Sequence, residues 1–493
     1  MNIDLGEITL KQTIASDALK LTTSKVVTMA LSMVTAMLLS RFRTLEEYGT
    51  YSQLLLVINL ITTVIMMGLP NSINYFLARA ETIESKQKFL SIYYTLSTLL
   101  GFLTGLVLVL STPLIVSYFR NPLIEKFIYI LAIFPWTRIL LSSIDHVLIV
   151  YGKTNSIMIF RVLNSIAILL NIAMVEIFNL SFSHYMIMFI VLESLFAIVV
   201  YFIVYSTAGK LCIGFNYNDI RDILKFSIPI GLASVVGMLS IELDKMVIGR
   251  FFSTADVAIY ANAAREMPVT IISSALTAVL MPRLVKLLRD KKYNDAVKIW
   301  GNSIEISFVV ICFISFGLIV FAPDVISLLY SDKYLPGVSV FRVYSLVLLL
   351  RVTYFGMILN SMGKTKFIFY SSILSLILNV ILNYTFYLIF GFIGPAYASF
   401  ISILLVQLLQ LFATAKSIDI KFTNIFPWLK LASLLLINMT LAFVFMIIKE
   451  WIHLDYKIGS ILETILLGFI WGTIYLILVR KKIIANWRVL NQQ

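Results

Sequence analysis

Polar residues in this 493-residue chain gather in short clusters, and long stretches of apolar side chains run between them. Fourteen such stretches can be read, at 21–40, 52–77, 89–112, 124–150, 156–178, 184–206, 225–249, 260–282, 300–322, 338–360, 366–390, 393–415, 428–448 and 458–479. Each is near the roughly 20 residues an α-helix needs to cross a hydrocarbon core about 30 Å thick. The pattern predicts an all-α, polytopic membrane protein with about fourteen transmembrane helices. Arg138, Asp145 and His146 interrupt the fourth stretch, but its length favours a span.

Composition agrees with a lipid solvent. Hydrophobic residues make up 60% of the chain and charged ones 13%, against roughly 25% charged in soluble domains, and the mean hydropathy is +0.95. No stretch is left over for a soluble domain of ordinary size. The first twenty residues hold Asp4, Glu7, Lys11, Asp17 and Lys20 and no compact apolar core, so a cleaved signal peptide is not expected.

The formal net charge of +13 builds no folded basic face, because the basic residues are scattered through short loops. No nucleic-acid partner is expected. Of 39 lysines and arginines, eight fall in loops on one side and seven inside spans, which leaves 24 for the side of the N-terminus. That excess places both termini in the cytoplasm. Cys212, Cys312, His146, His184 and His453 are far apart in sequence. They make no disulfide framework or metal-ligand spacing. Both cysteines are assigned to packing, and no metal or cofactor is expected beyond a coupling H+ or Na+.

Polar loops reveal an internal repeat. Arg41-Phe42, Glu47 and Tyr51 match Arg250-Phe251, Asp256 and Tyr260 at an offset of 209, and Gly152-Lys153-Thr154 matches Gly363-Lys364-Thr365 at 211. Each repeat holds an even number of helices, so both enter the membrane in the same direction, a plan that puts a substrate path between the halves. The expected organisation is an N-lobe over 1–207 (helices 1–6), a C-lobe over 208–416 (helices 7–12), and two C-terminal helices with a cytoplasmic tail over 417–493. The Gly-Lys-Thr runs lack the upstream glycine of a phosphate-binding loop, with Val147 and Ile358 at that position. They are read as helix-start turns.

Seven basic residues lie inside spans: Lys25, Arg138, Arg161, Lys245, Arg265, Arg342 and Arg351. The acids there are Asp145, Glu176, Glu193, Glu242, Asp244, Glu266, Glu305 and Glu463. Each costs roughly 2.5–3.5 kcal/mol at a helix centre, so they must face partners or water. Some suit structural pairs on one helix face, such as Glu242 with Lys245 and Arg138 with Asp145. Lys25 and Glu176, near span ends, suit snorkelling. By helical rise Arg351 and Arg138 lie about 18 and 21 Å from their cytoplasmic boundaries, near mid-membrane. Arg161, about 13 Å in, has no acid within four residues on its own helix. Arg342 is about half a turn round from Arg351 on a straight helix, so the two cannot share one cavity. Guanidinium groups suit a phosphate-bearing anion, and Asp145, Glu193 and Asp244 are the candidates for cation coupling.

The Arg41–Tyr51 pattern, Gly68-Leu69-Pro70 leading to Arg79, Phe226-Ser227-Ile228-Pro229, and Asp244 through Tyr260 together resemble the polysaccharide-repeat-unit (O-antigen or capsule type) flippases. That family belongs to the exporter superfamily that also holds multidrug extruders and the peptidoglycan-precursor flippase. The resemblance spans nearly the whole chain. It implies a bacterial inner-membrane protein that moves undecaprenyl-pyrophosphate-linked oligosaccharide outward by alternating access. Arg161, Lys245, Arg265 and Arg351, then Lys25 and Arg79, would receive the pyrophosphate. Membrane lipids, a polysaccharide polymerase and chain-length machinery are the expected partners.

A multidrug or organic-cation antiporter of the same superfamily is the alternative, though it normally has twelve helices and an acid-rich cavity. A membrane polymerase or glycosyltransferase is disfavoured, because the longest outer loops, near 113–123 and 323–337, are short and no catalytic constellation is visible. A membrane scaffold would leave the buried charges unexplained.

Overall fold

The computed structural model describes residues 5–265, 267–452 and 460–491, with side chains for 20–265, 267–451 and 461–480. Asp4, Glu266, His453 and Lys457 lie outside the described residues, and Glu7, Lys11 and Asp17 outside the described side chains. Every regular element within these limits is helical. The long helices are α1 (Leu5–Phe42), α2 (Leu45–Met66), α3 (Ile83–Leu110), α4 (Phe134–Val150), α5 (Thr154–Ile177), α6 (Phe182–Ala208) and α7 (Tyr217–Phe251). They continue as α8 (Ile271–Arg289), α9 (Tyr293–Val320), α10 (Val338–Val347), α11 (Thr365–Phe390), α12 (Gly394–Ile418), α13 (Trp428–Ile452) and α14 (Ser460–Asn491). Among the described residues twelve segments are long and apolar enough to cross a membrane, or thirteen with one bent pair. One of the twelve, Thr365–Ile418, holds both α11 and α12, joined by the 3-10 turn Gly391–Ile393. Large apolar side chains such as Phe202, Leu388 and Phe469 stand exposed on these helices, as a lipid solvent requires.

Four stretches that hydropathy reads as single helices are broken. α2 ends at Met66, the next residue is left-handed, and a π-turn occupies Ile73–Leu77. The fourth stretch is a pair, Leu123–Leu131 and α4, bent by 49°. In the eighth, a helix over Thr254–Ala263 stops before Pro268, and α8 begins only at Ile271. The tenth leaves α-helical geometry after Val347, passes through the 3-10 turn Leu348–Arg351 and resumes at Met357–Ser361. Arg342 and Arg351 are therefore not on one straight helix. Broken helices are tolerated at membrane depth only where protein groups take up the freed polar atoms. Gln407 Nε2 donates to the Leu350 carbonyl at 2.6 Å, and Trp300 Nε1 to Thr353 Oγ1 at 3.0 Å.

The chain divides into two compact units, one of residues 1–242 and 249–258, the other of 243–248 and 259–493. In the first, α1 lies along α5, and α4 is flanked by α3 and α6. Its core gathers Leu69, Tyr93, Trp136, Ile144 and Val200. Gly101 and Gly105, one turn apart on α3, let its backbone meet the start of α4. A Cβ at Gly105 would stand 2.2 Å from the Ala132 carbonyl oxygen, and one at Gly101 2.6 Å from Trp136 Cα. The segment after α6 is tied to α3, with Cys212 N–H donating to Ser91 Oγ at 3.1 Å. The side chain of Cys212 is exposed, so only Cys312, fully buried, serves packing. Cys212 holds its place through its backbone.

In the second unit α9 is central, with α8, α10, α13 and α14 packed around it. The core runs through Trp300, Ile304, Cys312, Phe445, Trp471 and Tyr475, so the last two helices share one interior with α9. Ion pairs join α13 to the α9 segment at both ends: Lys430 Nζ to Glu305 Oε2 at 2.8 Å, and Lys449 to Asp324 just beyond α9. Both pairs are 125 residues apart in sequence, so α13 runs parallel to α9. Tyr475 of α14 donates to the Val309 carbonyl at 2.7 Å. Lys449→Ala removes this cation from beside the half-buried Asp324 and is expected to cost about 2 kcal/mol, between surface and fully buried ion pairs. Thermal unfolding of the purified protein reads this, and the exchanged pair Asp324→Lys with Lys449→Asp should regain most of it.

The sequence anchors of the repeat fold alike. Thr44 caps α2 by accepting from Glu47 N–H at 3.1 Å, while Glu47 accepts from Thr44 N–H at 3.2 Å. Ser253 and Asp256 make the same reciprocal bonds, at 3.0 and 3.1 Å, before the Thr254 helix. Such capping boxes satisfy amides that a helix start leaves open. Gly152 and Gly363 both adopt left-handed backbone, with φ of 66° and 75°. Lys153 N–H then reaches the Leu148 carbonyl at 2.8 Å and Lys364 N–H the Leu359 carbonyl at 2.9 Å. Even the lysine side chains agree: Lys153 Nζ meets Thr207 Oγ1 at 3.0 Å and Lys364 Nζ meets Ser417 Oγ at 2.8 Å. The glycine-lysine turns thus end one helix and start the next.

Candidate functional site

The first unit carries a line of ionisable groups across α4, α5 and α6. Arg161 of α5 donates from Nε to both Asp145 oxygens, at 3.0 and 3.1 Å, and also from Nη2. The pair is partly open, with side-chain exposures of 32% and 21%. Asn164, three residues on and hence on the same face of α5, donates to Glu193 Oε1 of α6 at 3.2 Å. Glu193 is only 3% exposed. Asp145 is thus partnered by Arg161 and not by Arg138 of its own helix. Arg138 is exposed, with its guanidinium 5.8 Å from the Phe134 ring centroid.

Arg161 and Asp145 neutralise each other, so an anion arriving at Arg161 has to displace a carboxylate. Beside Asp145, His146 Nδ1 is bonded to Asn74 Nδ2 at 2.9 Å. The π-turn that carries Asn74 also carries Tyr75, whose ring lies against Phe226 at 4.3 Å. Arg79 sits over Tyr75 at 4.1 Å and donates to its hydroxyl at 2.5 Å. Arg79 is exposed, so its charge is positioned yet open to a ligand. π-turns of this kind are frequent at functional sites. Glu176 is taken up by Arg43, and Lys25 is exposed on α1.

The second unit is organised differently. Asp244, 1% exposed, accepts hydrogen bonds from Tyr260 at 3.3 Å and from Tyr344. The two rings meet edge to face, and the amide of Lys245 also points to Asp244, at 2.9 Å. Arg342 donates to the Ile319 carbonyl at 3.2 Å, which closes the end of α9. Its charge meets the negative end of that helix dipole. Arg265 and Arg351 are both half-buried and both stand at helix breaks, after Ala264 and at the close of the 3-10 turn. Glu305 is held by Lys430, and Glu463 is buried on α14. Among the described residues no group of three or more His, Cys, Asp or Glu side chains is placed to hold a metal.

Sequence reasoning missed Asn164, Tyr344 and the Tyr75 platform, and it read Tyr260 as a repeat position without its bond to Asp244. The first had a signal, one turn beyond Arg161. For Tyr344, 100 residues from Asp244, there was none.

A sequence family described as polysaccharide biosynthesis protein matches residues 38–339, well over half of the chain. The probable low-salt glycan biosynthesis flippase Agl15 of Haloferax volcanii is 21% identical over 232 residues, 46% of this chain and 49% of that protein. The teichuronic acid biosynthesis protein TuaB of Bacillus subtilis is 24% identical over 310 residues, 58% of this chain and 60% of that one. The chain thus matches about half to three fifths of the length of these relatives. The inward closed conformation of the lipid II flippase MurJ superposes with a TM-score of 0.75 at 18% identity, over 95% of this chain and 100% of that one. At that identity the likeness shows the fold.

Proposed function

Because the chain belongs to the polysaccharide biosynthesis protein family, we propose that this multi-pass membrane protein is a flippase for lipid-linked oligosaccharide. In its finer form the substrate is an undecaprenyl-pyrophosphate-linked repeat unit, carried outward across a bacterial inner membrane by alternating access and coupled to H+ or Na+. The lobes are 1–207 and 208–416, and both termini face the cytoplasm. A polysaccharide polymerase and chain-length machinery take the product onward.

The observation that carries the reading is the position of the arginines. Arg79, Arg265 and Arg351 sit beside a π-turn, at a helix break and in a 3-10 turn, where a helix has opened its backbone and a side chain can meet a ligand. Guanidinium groups so placed suit phosphate oxygens, and within the first unit Arg161 becomes available once Asp145 is displaced. Lys245 and the exposed Lys25 and Arg138 add positive charge, whereas Arg342 serves mainly to close α9. A drug cation would be repelled by these charges.

Deleting the gene should make lipid-linked oligosaccharide accumulate on the cytoplasmic face of the membrane. Arg351→Ala, expressed at the wild-type level, should reproduce most of that accumulation. Unchanged surface polysaccharide in both strains, with no second flippase present, sinks the proposal.

A further inference from the structure

We infer that the junction between α6 and α7, residues 209–216, is a re-entrant segment whose Ile213 and Phe215 side chains lie among lipid acyl chains at the membrane boundary. This lipid-binding surface does not depend on the flippase reading above.

Hydropathy leaves residues 207–224 between two spans, the position of a loop in water. The fold puts part of it elsewhere. Gln87 Nε2 donates to the Ala208 carbonyl at 2.9 Å where α6 ends, Cys212 N–H donates to Ser91 Oγ at 3.1 Å, and Gly214 N–H donates to Thr95 Oγ1 at 3.1 Å. These partners stand one turn apart on one face of α3, so the chain runs along that helix as it leaves α6. It then returns, and Asp219 in the first turn of α7 pairs with Lys88 at 2.7 Å. Lys88 is the last charge at this end of α3, because none occurs from Phe89 to Leu110. By helical rise Thr95 lies about 10 Å beyond Lys88, within the apolar part of the span.

What covers the outside of the segment follows from α3 itself. Leu99, one turn beyond Thr95 on the same face, is exposed, and the exposure continues through Leu103, Leu106 and Leu110. On a helix long and apolar enough to cross a membrane, that stripe faces lipid. The segment lies over the first part of the same stripe, where Ser91 and Ile92 are buried. Gly214 makes the approach close: a Cβ there would stand 3.0 Å from Ile92 Cγ1 and 3.1 Å from Ile92 N. The outer surface of the segment is therefore continuous with a lipid-facing one. Its side chains agree, since Leu211 packs against the interior of the unit, while Ile213 and Phe215, two apart and so on one side of an extended chain, are 85% and 68% exposed. Tyr217, 78% exposed, follows as the chain returns toward Lys88, a depth that suits a ring with one wet end. The hydroxyls of Ser91 and Thr95 take up two amides that would otherwise need water at this depth.

Spin labelling of the full-length protein in phospholipid vesicles tests this. Cys312 is buried and Cys212→Ser removes the other thiol, so Ile213→Cys and Phe215→Cys can each carry a single nitroxide. Oxygen concentrates among acyl chains and a neutral nickel chelate stays in water, so collisions with the two reagents read depth. Labels at 213 and 215 should collide freely with oxygen and lose contact with nickel, as a label at Leu106→Cys on α3 should. Nickel collisions as frequent as at Lys292→Cys, an exposed position before α9, would show a loop in water and overturn the inference. Weak collisions with both reagents would show a protein neighbour, a second copy included, and overturn it as well. Ser91→Ala with Thr95→Ala removes the two acceptors and should restore nickel collisions at 215 in protein that stays monodisperse; a label that does not move overturns the role given to the hydroxyls. Labels in otherwise unaltered protein decide the depth even if that double variant fails to fold. Protein that moves no lipid-linked glycan would count against the flippase reading and leave the measured depth standing.

Discussion

Arg161→Ala is expected to destabilise the purified protein by about 2 kcal/mol and to lower its affinity for an anionic substrate about thirtyfold. The first figure follows from the Asp145 pair, which is partly exposed and so falls between surface pairs near 0–1 kcal/mol and buried pairs at 3–5 kcal/mol. The second is the loss of one charge-assisted hydrogen-bonding partner, ~2 kcal/mol, at 1.4 kcal/mol per tenfold. The two effects separate in the double variant. Adding Asp145→Ala removes the orphaned carboxylate, so thermal stability should return while transport of lipid-linked oligosaccharide stays low. A double variant that transports normally would show that Arg161 serves only to neutralise Asp145.

A larger structural effect is expected from Gly105→Leu. The α3 backbone approaches the start of α4 so closely that even a methyl group at Gly105 would stand 2.2 Å from a carbonyl oxygen. A backbone atom cannot rotate aside, so α3 and α4 must separate. That loosens Trp136 and the contacts of Tyr94 with Ser143 at 3.0 Å and of Thr98 with Tyr201 at 2.5 Å. The cost should exceed about 3 kcal/mol, the upper end of ordinary overpacking. Size-exclusion chromatography after mild heating should show aggregated protein, whereas Gly237→Ala, where a methyl group meets nothing within 4 Å, should behave as wild type.

Several features of the working region were legible along the chain. Arg161 was singled out because it lacked an acid on its own helix, and a hairpin reading would have supplied one. Asp145 lies six residues before Tyr151, and Arg161 eight residues after Lys153, so an antiparallel turn at Gly152 brings them level. The capping boxes at Thr44 and Ser253 were visible as matching acids at an offset of 209, because a cap is made by residues three apart. Other features could not be read. Apolar side chains continue without pause from Leu346 through Leu350, and nothing in that run marks where the helix opens. The carbonyl of Leu350 at the break is taken up by Gln407 of α12.

The same division holds across the molecule. Hydropathy alone settles that the chain is helical, spans a membrane many times and carries charges inside it, because desolvating a backbone group or a charge has a cost that each segment bears locally. Partner choice is another matter. Whether Arg342 closes a helix end, Asp244 meets two phenols, or Glu193 is left with one amide depends on which helices pack together. Those contacts join residues 23, 100 and 29 positions apart, and only the folded chain brings them within hydrogen-bonding distance.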